Sequence, residues 1–229
     1  MKIVKLVAVA VALVPAALAI TYSTDANACG MSIRMDSTPQ KPTPVQSIAN
    51  AEKALENGQN LAAAKAVLAN FPKVRVATAG ANPLETRALR VFALAVVRSN
   101  GSVNEKTAGF PSGGNEWTPT ANLEWAVQSI REIDAKRPND PTVQADLGEA
   151  LSKLPHGRKE SMTILQGLAQ KDLMGSPHAY AALAKLRSDQ GDAAGAQAAI
   201  KRCEEMSKTP GVCRPATKVA SPATVAAKA

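Results

Sequence analysis

The chain has 229 residues and a formal net charge of +8. Aromatic residues make up only 3% of it, and its lysines and arginines are spread along the sequence, so the stacking platforms of a single-strand nucleic-acid binder are missing and no nucleic acid is expected as a partner. The charge implies a solvated basic surface with mild attraction for anionic envelope polymers.

The first residues, MKIVKLVAVAVALVPAALAI, place Lys2 and Lys5 ahead of an apolar run, and Ala26-Asn27-Ala28 supplies a small-x-small exit. That order is the layout of a secretory signal over 1–28, with Ala17-Leu18-Ala19 as a second exit. An uncleaved anchor is the alternative, because the run approaches the roughly 20 residues of a spanning helix, and it is the one route by which the chain would touch a membrane. Pro15 and the exit triplet weigh against it. Ala26 stands where a lipid-anchored Cys29 would want a large aliphatic residue. Cleavage after Ala28 removes Lys2, Lys5 and Asp25 and lowers the formal charge to +7. We therefore expect export to the periplasm or the extracellular side of a bacterial envelope.

Residues 29–43 form a linker rich in Pro, Ser and Thr, and 208–229 a tail whose last part, 214–229, is low-complexity Ala, Pro, Thr and Val. Such segments bury too little surface to offset their ordering entropy. Between them, over 44–207, a short polar residue precedes proline at Thr43-Pro44, Asn82-Pro83, Thr118-Pro119, Asp140-Pro141 and Ser176-Pro177. Each fits an N-cap with proline in the first helical position. Gln46 and Glu85 complete two capping boxes.

Apolar spacing behind these starts is helical, as in Leu123, Ala126, Val127, Ile130 and Ile133, or Val143, Leu147, Ala150, Leu151 and Leu154. Three more helices without proline begin near Leu61, Ser161 and Ala193. No stretch alternates as a strand, so the sequence predicts an all-α chain of about eight helices. Paired in order, they make hairpins at 44–72, 83–136, 140–173 and 177–207. A connection at 100–118, longer than a hairpin needs, interrupts the second. Its rings, Phe110 and Trp117, either cover an end of the stack, the reading preferred here, or form a binding loop.

Cys203 and Cys213 flank a segment that can fold back through Thr209-Pro210-Gly211, and an exported chain permits the disulfide. Cys29 is then left over; the alternative is that all three are free thiols, since the odd count leaves at least one unless chains pair. Shifting the last two hairpins by 36 residues places Pro141 on Pro177, Leu147 on Leu183, Gly148 on Ala184 and Ile164 on Ile200. Small residues at such positions let stacked helices approach. Gly191-Asp192 is expected to turn the last hairpin, with Asp192 capping the next helix.

This pattern resembles the tetratricopeptide repeat. The last hairpin carries it best, through Tyr180, Leu183-Ala184, Gly191, Ala196, Ile200 and Cys203; Leu147-Gly148 and the pair Gly58 and Ala63 repeat parts of it. Arg187 departs from the family's usual Tyr, and Pro155 replaces a turn glycine. The resemblance implies a stack of antiparallel helical hairpins, an α-solenoid, whose first helices line a concave face that takes a protein or peptide segment. By that analogy the groove residues are Arg98, Thr142, Glu149, Ser152, His178, Lys185 and Ser188, with Glu149 and Lys185 exposed on it.

Catalytic patterns are missing. The two histidines, His156 and His178, stand on separate hairpins, and there is no HExxH, nucleophile elbow, phosphate loop or metal-spaced cysteine pair. No catalytic residue, metal or cofactor is expected. Two functions follow from the sequence: an exported interaction scaffold without activity of its own, or a basic structural component of the envelope held to anionic polymer or membrane surface.

Overall fold

The computed structural model describes residues 42–111, 117–209 and 211–213. The expected signal over 1–28 and the linker up to 41 lie outside the described residues. Eight α-helices form, and no strand is present among the described residues: α1 (Pro44–Glu56), α2 (Asn60–Leu68), α3 (Pro83–Arg98), α4 (Pro119–Lys136), α5 (Pro141–Leu151), α6 (Arg158–Gln170), α7 (Pro177–Asp189) and α8 (Ala193–Met206).

All five polar-proline dipeptides start a helix, and in each the side chain before proline accepts a hydrogen bond from a first-turn N–H. Thr43 and Gln46 form the full reciprocal box. Asn82 does not: it accepts from the N–H groups of Leu84 and Glu85, and its side chain alone satisfies two of the free donors of the first turn. Gly191 takes the left-handed conformation at φ 83° and the Asp192 carboxylate accepts from Gly195 N–H at 2.8 Å. Arg187 donates to the Gly195 carbonyl at 3.0 Å, so this departure from the repeat pattern ties α7 to the start of α8.

Each hairpin packs its own two helices together, and each second helix packs on the first helix of the next hairpin. In addition α1 touches α3, α3 touches α5 and α5 touches α7, while no two second helices pack as extensively. The four first helices therefore form one inner layer, and a stack whose inner layer is closer together than its outer one is concave on that side. Small residues permit the close spacing. A Cβ placed on Gly148 would stand 2.6 Å from Leu165 Cδ2, well inside contact distance, so α5 and α6 meet where only hydrogen fits.

The long second-hairpin connection is anchored. The Arg75 guanidinium pairs with Glu105 in that connection and donates to Asn122 of α4 at 2.8 Å. It also lies 4.2 Å from the Trp117 ring centre and 4.3 Å from that of Trp125, distances at which a ring face attracts a cation. Asn122 in turn donates to the carbonyls of Gly101 and Val103 at 2.9 and 2.6 Å. Phe110 packs on the core. These two rings cover buried structure at the second hairpin.

Cys203 and Cys213 are joined by a disulfide, with Cys213 only 4% exposed. Val212 and Cys213 pack on the core around Leu165 and Leu183, within the stretch expected as a tail from 208 onward. Two buried clusters share the core, one spanning α1 to α5 around Phe92 and the other α5 to α8 around Leu165 and Leu183, and Ile164 packs against both.

Candidate functional site: the concave cleft

Three arginines of the inner layer are paired with carboxylates of the neighbouring inner helices. Arginines recur on α3 at Arg87, Arg90 and Arg98, one stripe of a helix whose other positions are mostly apolar. Arg87 reaches Glu52 of α1 with two hydrogen bonds at 2.6 and 2.5 Å. Arg90 donates to Asp146 of α5 at 2.5 Å. Arg98 donates through two nitrogens to both oxygens of Glu149 at 3.0 and 3.1 Å. The first pair is solvent-exposed and contributes about 0–1 kcal/mol; the last is buried, its side chains 10% and 3% exposed. Burial pushes the Glu149 carboxyl up, but the Arg98 charge and its two hydrogen bonds hold it below its ordinary value. In Asp146 burial wins, and the carboxyl is raised despite Arg90.

Between this layer and the chain's last described residues lies a cleft of about 460 Å³. Glu52, Leu55 and Glu56 of α1, Arg90, Val91, Leu94 and Arg98 of α3, and Thr142 and Asp146 of α5 line one side. The start of α7 supplies Ser176 and His178, and Met206, Ser207, Lys208 and Val212 complete the wall. Burial lowers the His178 imidazole to about 4, the neighbouring positive Arg98 and Lys153 adding to the effect against Glu149. At neutral pH His178 is an uncharged donor and acceptor on the cleft wall.

Four of the seven residues expected in the groove come together here. Arg98, Thr142 and His178 line the cleft, and Glu149 lies behind Arg98 as its partner. Glu149 is 3% exposed, which corrects its reading as an exposed groove charge: a carboxylate on the inner face of α5 is claimed by the arginine of the adjacent hairpin. Lys185 is exposed, but it pairs with Asp189 of its own helix at 2.9 Å and is not part of the cleft wall. Ser152 ends α5, donating to the Glu149 carbonyl at 2.6 Å, and Ser188 sits exposed at the far end of α7. These three share the inner helices but not the cleft.

Sequence reasoning missed Arg90, Asp146, Glu52, Glu56 and the wall residues Met206, Ser207, Lys208 and Val212. A signal for Arg90 and Asp146 was present, because a charge embedded in RVFALAVV or in VQADLGEAL must be paired or else exposed on one side. No equivalent signal marks Met206, Ser207, Lys208 and Val212 as lining the same cleft as α1. Among the described residues no group of three or more His, Cys, Asp or Glu is placed to hold a metal ion, and no helix among them is long and apolar enough to cross a membrane. No family model, no curated protein and no solved structure matches the chain.

Proposed function

We propose that the chain is an exported, tetratricopeptide-like protein-protein interaction scaffold, without catalytic activity of its own, that takes a protein or peptide segment on its concave face. The observation that carries this reading is the shared inner layer of first helices, which leaves a cleft of about 460 Å³ within the roughly 300–1,000 Å³ typical of binding clefts. Its arginines Arg90 and Arg98 are neutralised by carboxylates, so recognition there rests on shape, on apolar Leu55, Val91 and Leu94, on the hydrogen-bonding groups of Thr142, Ser176 and His178, and on the charges of Glu56 and Lys208. The disulfide between Cys203 and Cys213 supports an oxidising, exported setting.

The test is a variant that fills the cleft without touching the core. Thr142 is exposed at the start of α5, and Thr142→Arg adds bulk and charge to the wall. Proteins captured from the producing cell by the wild-type chain should be retained by Lys201→Glu, an exposed position on α8, and lost by Thr142→Arg at unchanged thermal stability. Equal capture by both variants would remove the cleft as the binding face. Capture that instead disappears steeply with added salt for all three proteins would favour the envelope component held by charge.

A further inference from the structure

We propose that the inner face of the last two hairpins takes an acidic protein segment, whose carboxylates lie over Arg98, Lys153, Lys185 and His178 while its apolar residues enter the cleft. The proposal rests on the concave face being the binding face and names the chemistry of what binds there. Its starting point is an excess of positive charge. Four cations, Arg98 of α3, Lys153 just after α5, Arg158 of α6 and Lys185 of α7, share two carboxylates. Glu149 gives both its oxygens to Arg98, and Asp189 meets Lys185 at 2.9 Å and Arg158 at 3.4 Å. Lys153 is left without an ion-pair partner among the described residues.

These groups come together from three inner helices. Lys153 follows Glu149 by one turn and reaches solvent, and its charged neighbours are Glu149, Lys185 and Arg98. His178 stands two turns before Lys185 on α7, a spacing that puts both on one side of the helix, and it faces Glu149, Arg98 and Lys153. The concavity partly buries the Lys153 ammonium and lowers it below its ordinary value; Glu149 opposes that shift, and the positive Lys185 and Arg98 add to it. A carboxylate brought in from outside relieves that repulsion, and the uncharged His178 supplies a hydrogen bond beside it. A protein segment fits this face better than a uniform polyanion does. Arg98 and His178 also line the cleft, so the basic strip runs into a wall containing Leu55, Val91 and Leu94. A polymer of repeating anions leaves that apolar wall uncovered, whereas a chain with acidic and apolar side chains complements both.

The probes are dye-labelled octaglutamate and octaglutamine, added to the full chain at one fixed, low ionic strength and read by fluorescence anisotropy. Octaglutamate should bind, and octaglutamine should not. Lys153→Gln and Lys185→Gln should each weaken octaglutamate about two- to fivefold, the range of one exposed ion pair, and the two together about tenfold. Lys201→Gln removes the same charge from an exposed position on α8 and should leave the affinity unchanged. Lys153→Glu combined with Lys185→Glu should switch the preference to octalysine, an outcome that loss of the fold cannot produce. Equal losses in Lys201→Gln and Lys153→Gln, or binding of inorganic polyphosphate without binding of octaglutamate, would overturn the proposal in favour of a diffuse attraction for anionic polymer. Because the probe has a fixed composition and is not the captured partner, a scaffold whose cleft takes a segment of other chemistry can stand while the acidic segment fails.

Discussion

Arg98 and Glu149 form a pair in which each residue depends on the other. Both are desolvated, so Arg98→Ala leaves a buried carboxylate without compensation and should cost about 3–5 kcal/mol in urea unfolding. Arg98→Met combined with Glu149→Leu should recover most of that loss, because an apolar pair of similar size removes the desolvation penalty as well as the attraction. His178 gives a second test, with a definite sign. Its imidazole is held at about 4 in the fold against about 6.5 in the unfolded chain, so between those values the unfolded state binds the extra proton and stability falls as pH drops. With allowance for its partial exposure the loss is on the order of 1–3 kcal/mol, and it should be absent from His178→Gln in denaturation curves between pH 6.5 and 4.5. The sequence places Glu149 and His178 on inner helices, but it does not say what faces them. That depends on the angle between hairpins, which is set by residues far away along the chain.

At the scale of the element, most starts and stops were readable because caps are local. Thr43, Asn82, Thr118, Asp140 and Ser176 each act on N–H groups two or three residues ahead. Asp192→Ala should accordingly cost about 1 kcal/mol, measured as a lowered midpoint of thermal unfolding. Gly148→Ala is an opposite kind of test, since a better helix former is introduced where α5 meets α6. The new methyl would collide with Leu165, and overpacking of about 1–3 kcal/mol should outweigh the propensity gain of about 1 kcal/mol. Retained or improved stability would show that α6 yields easily. The connection at 100–118 was visible as too long, but its anchoring was not. Arg75 meets Glu105 and Asn122 across 30 and 47 residues, and nothing in the local sequence of Arg75 distinguishes it from a solvated arginine.

Across the whole molecule, the sequence contained the hairpin count and order, because periodicity and proline signals repeat along the chain. It did not contain the placement of residues 207–209 and 211–213, whose composition is that of any turn. Removing the disulfide by Cys203→Ser with Cys213→Ser should lower stability by about 2–3 kcal/mol, the loop-closure value for a separation of 10 residues, as read from urea midpoints. The bond from Thr209 to Glu56 carries a consequence for dynamics. In an open array of repeats each unit contacts only its neighbours, and terminal units fray before the middle melts. Here Thr209, after α8, touches the end of the first helix, so fraying at the C-terminal end of α1 has first to break that contact. Amide protons at the C-terminal turn of α1 should therefore exchange more slowly in the native chain than in Thr209→Val, while those of α4 should exchange alike in both.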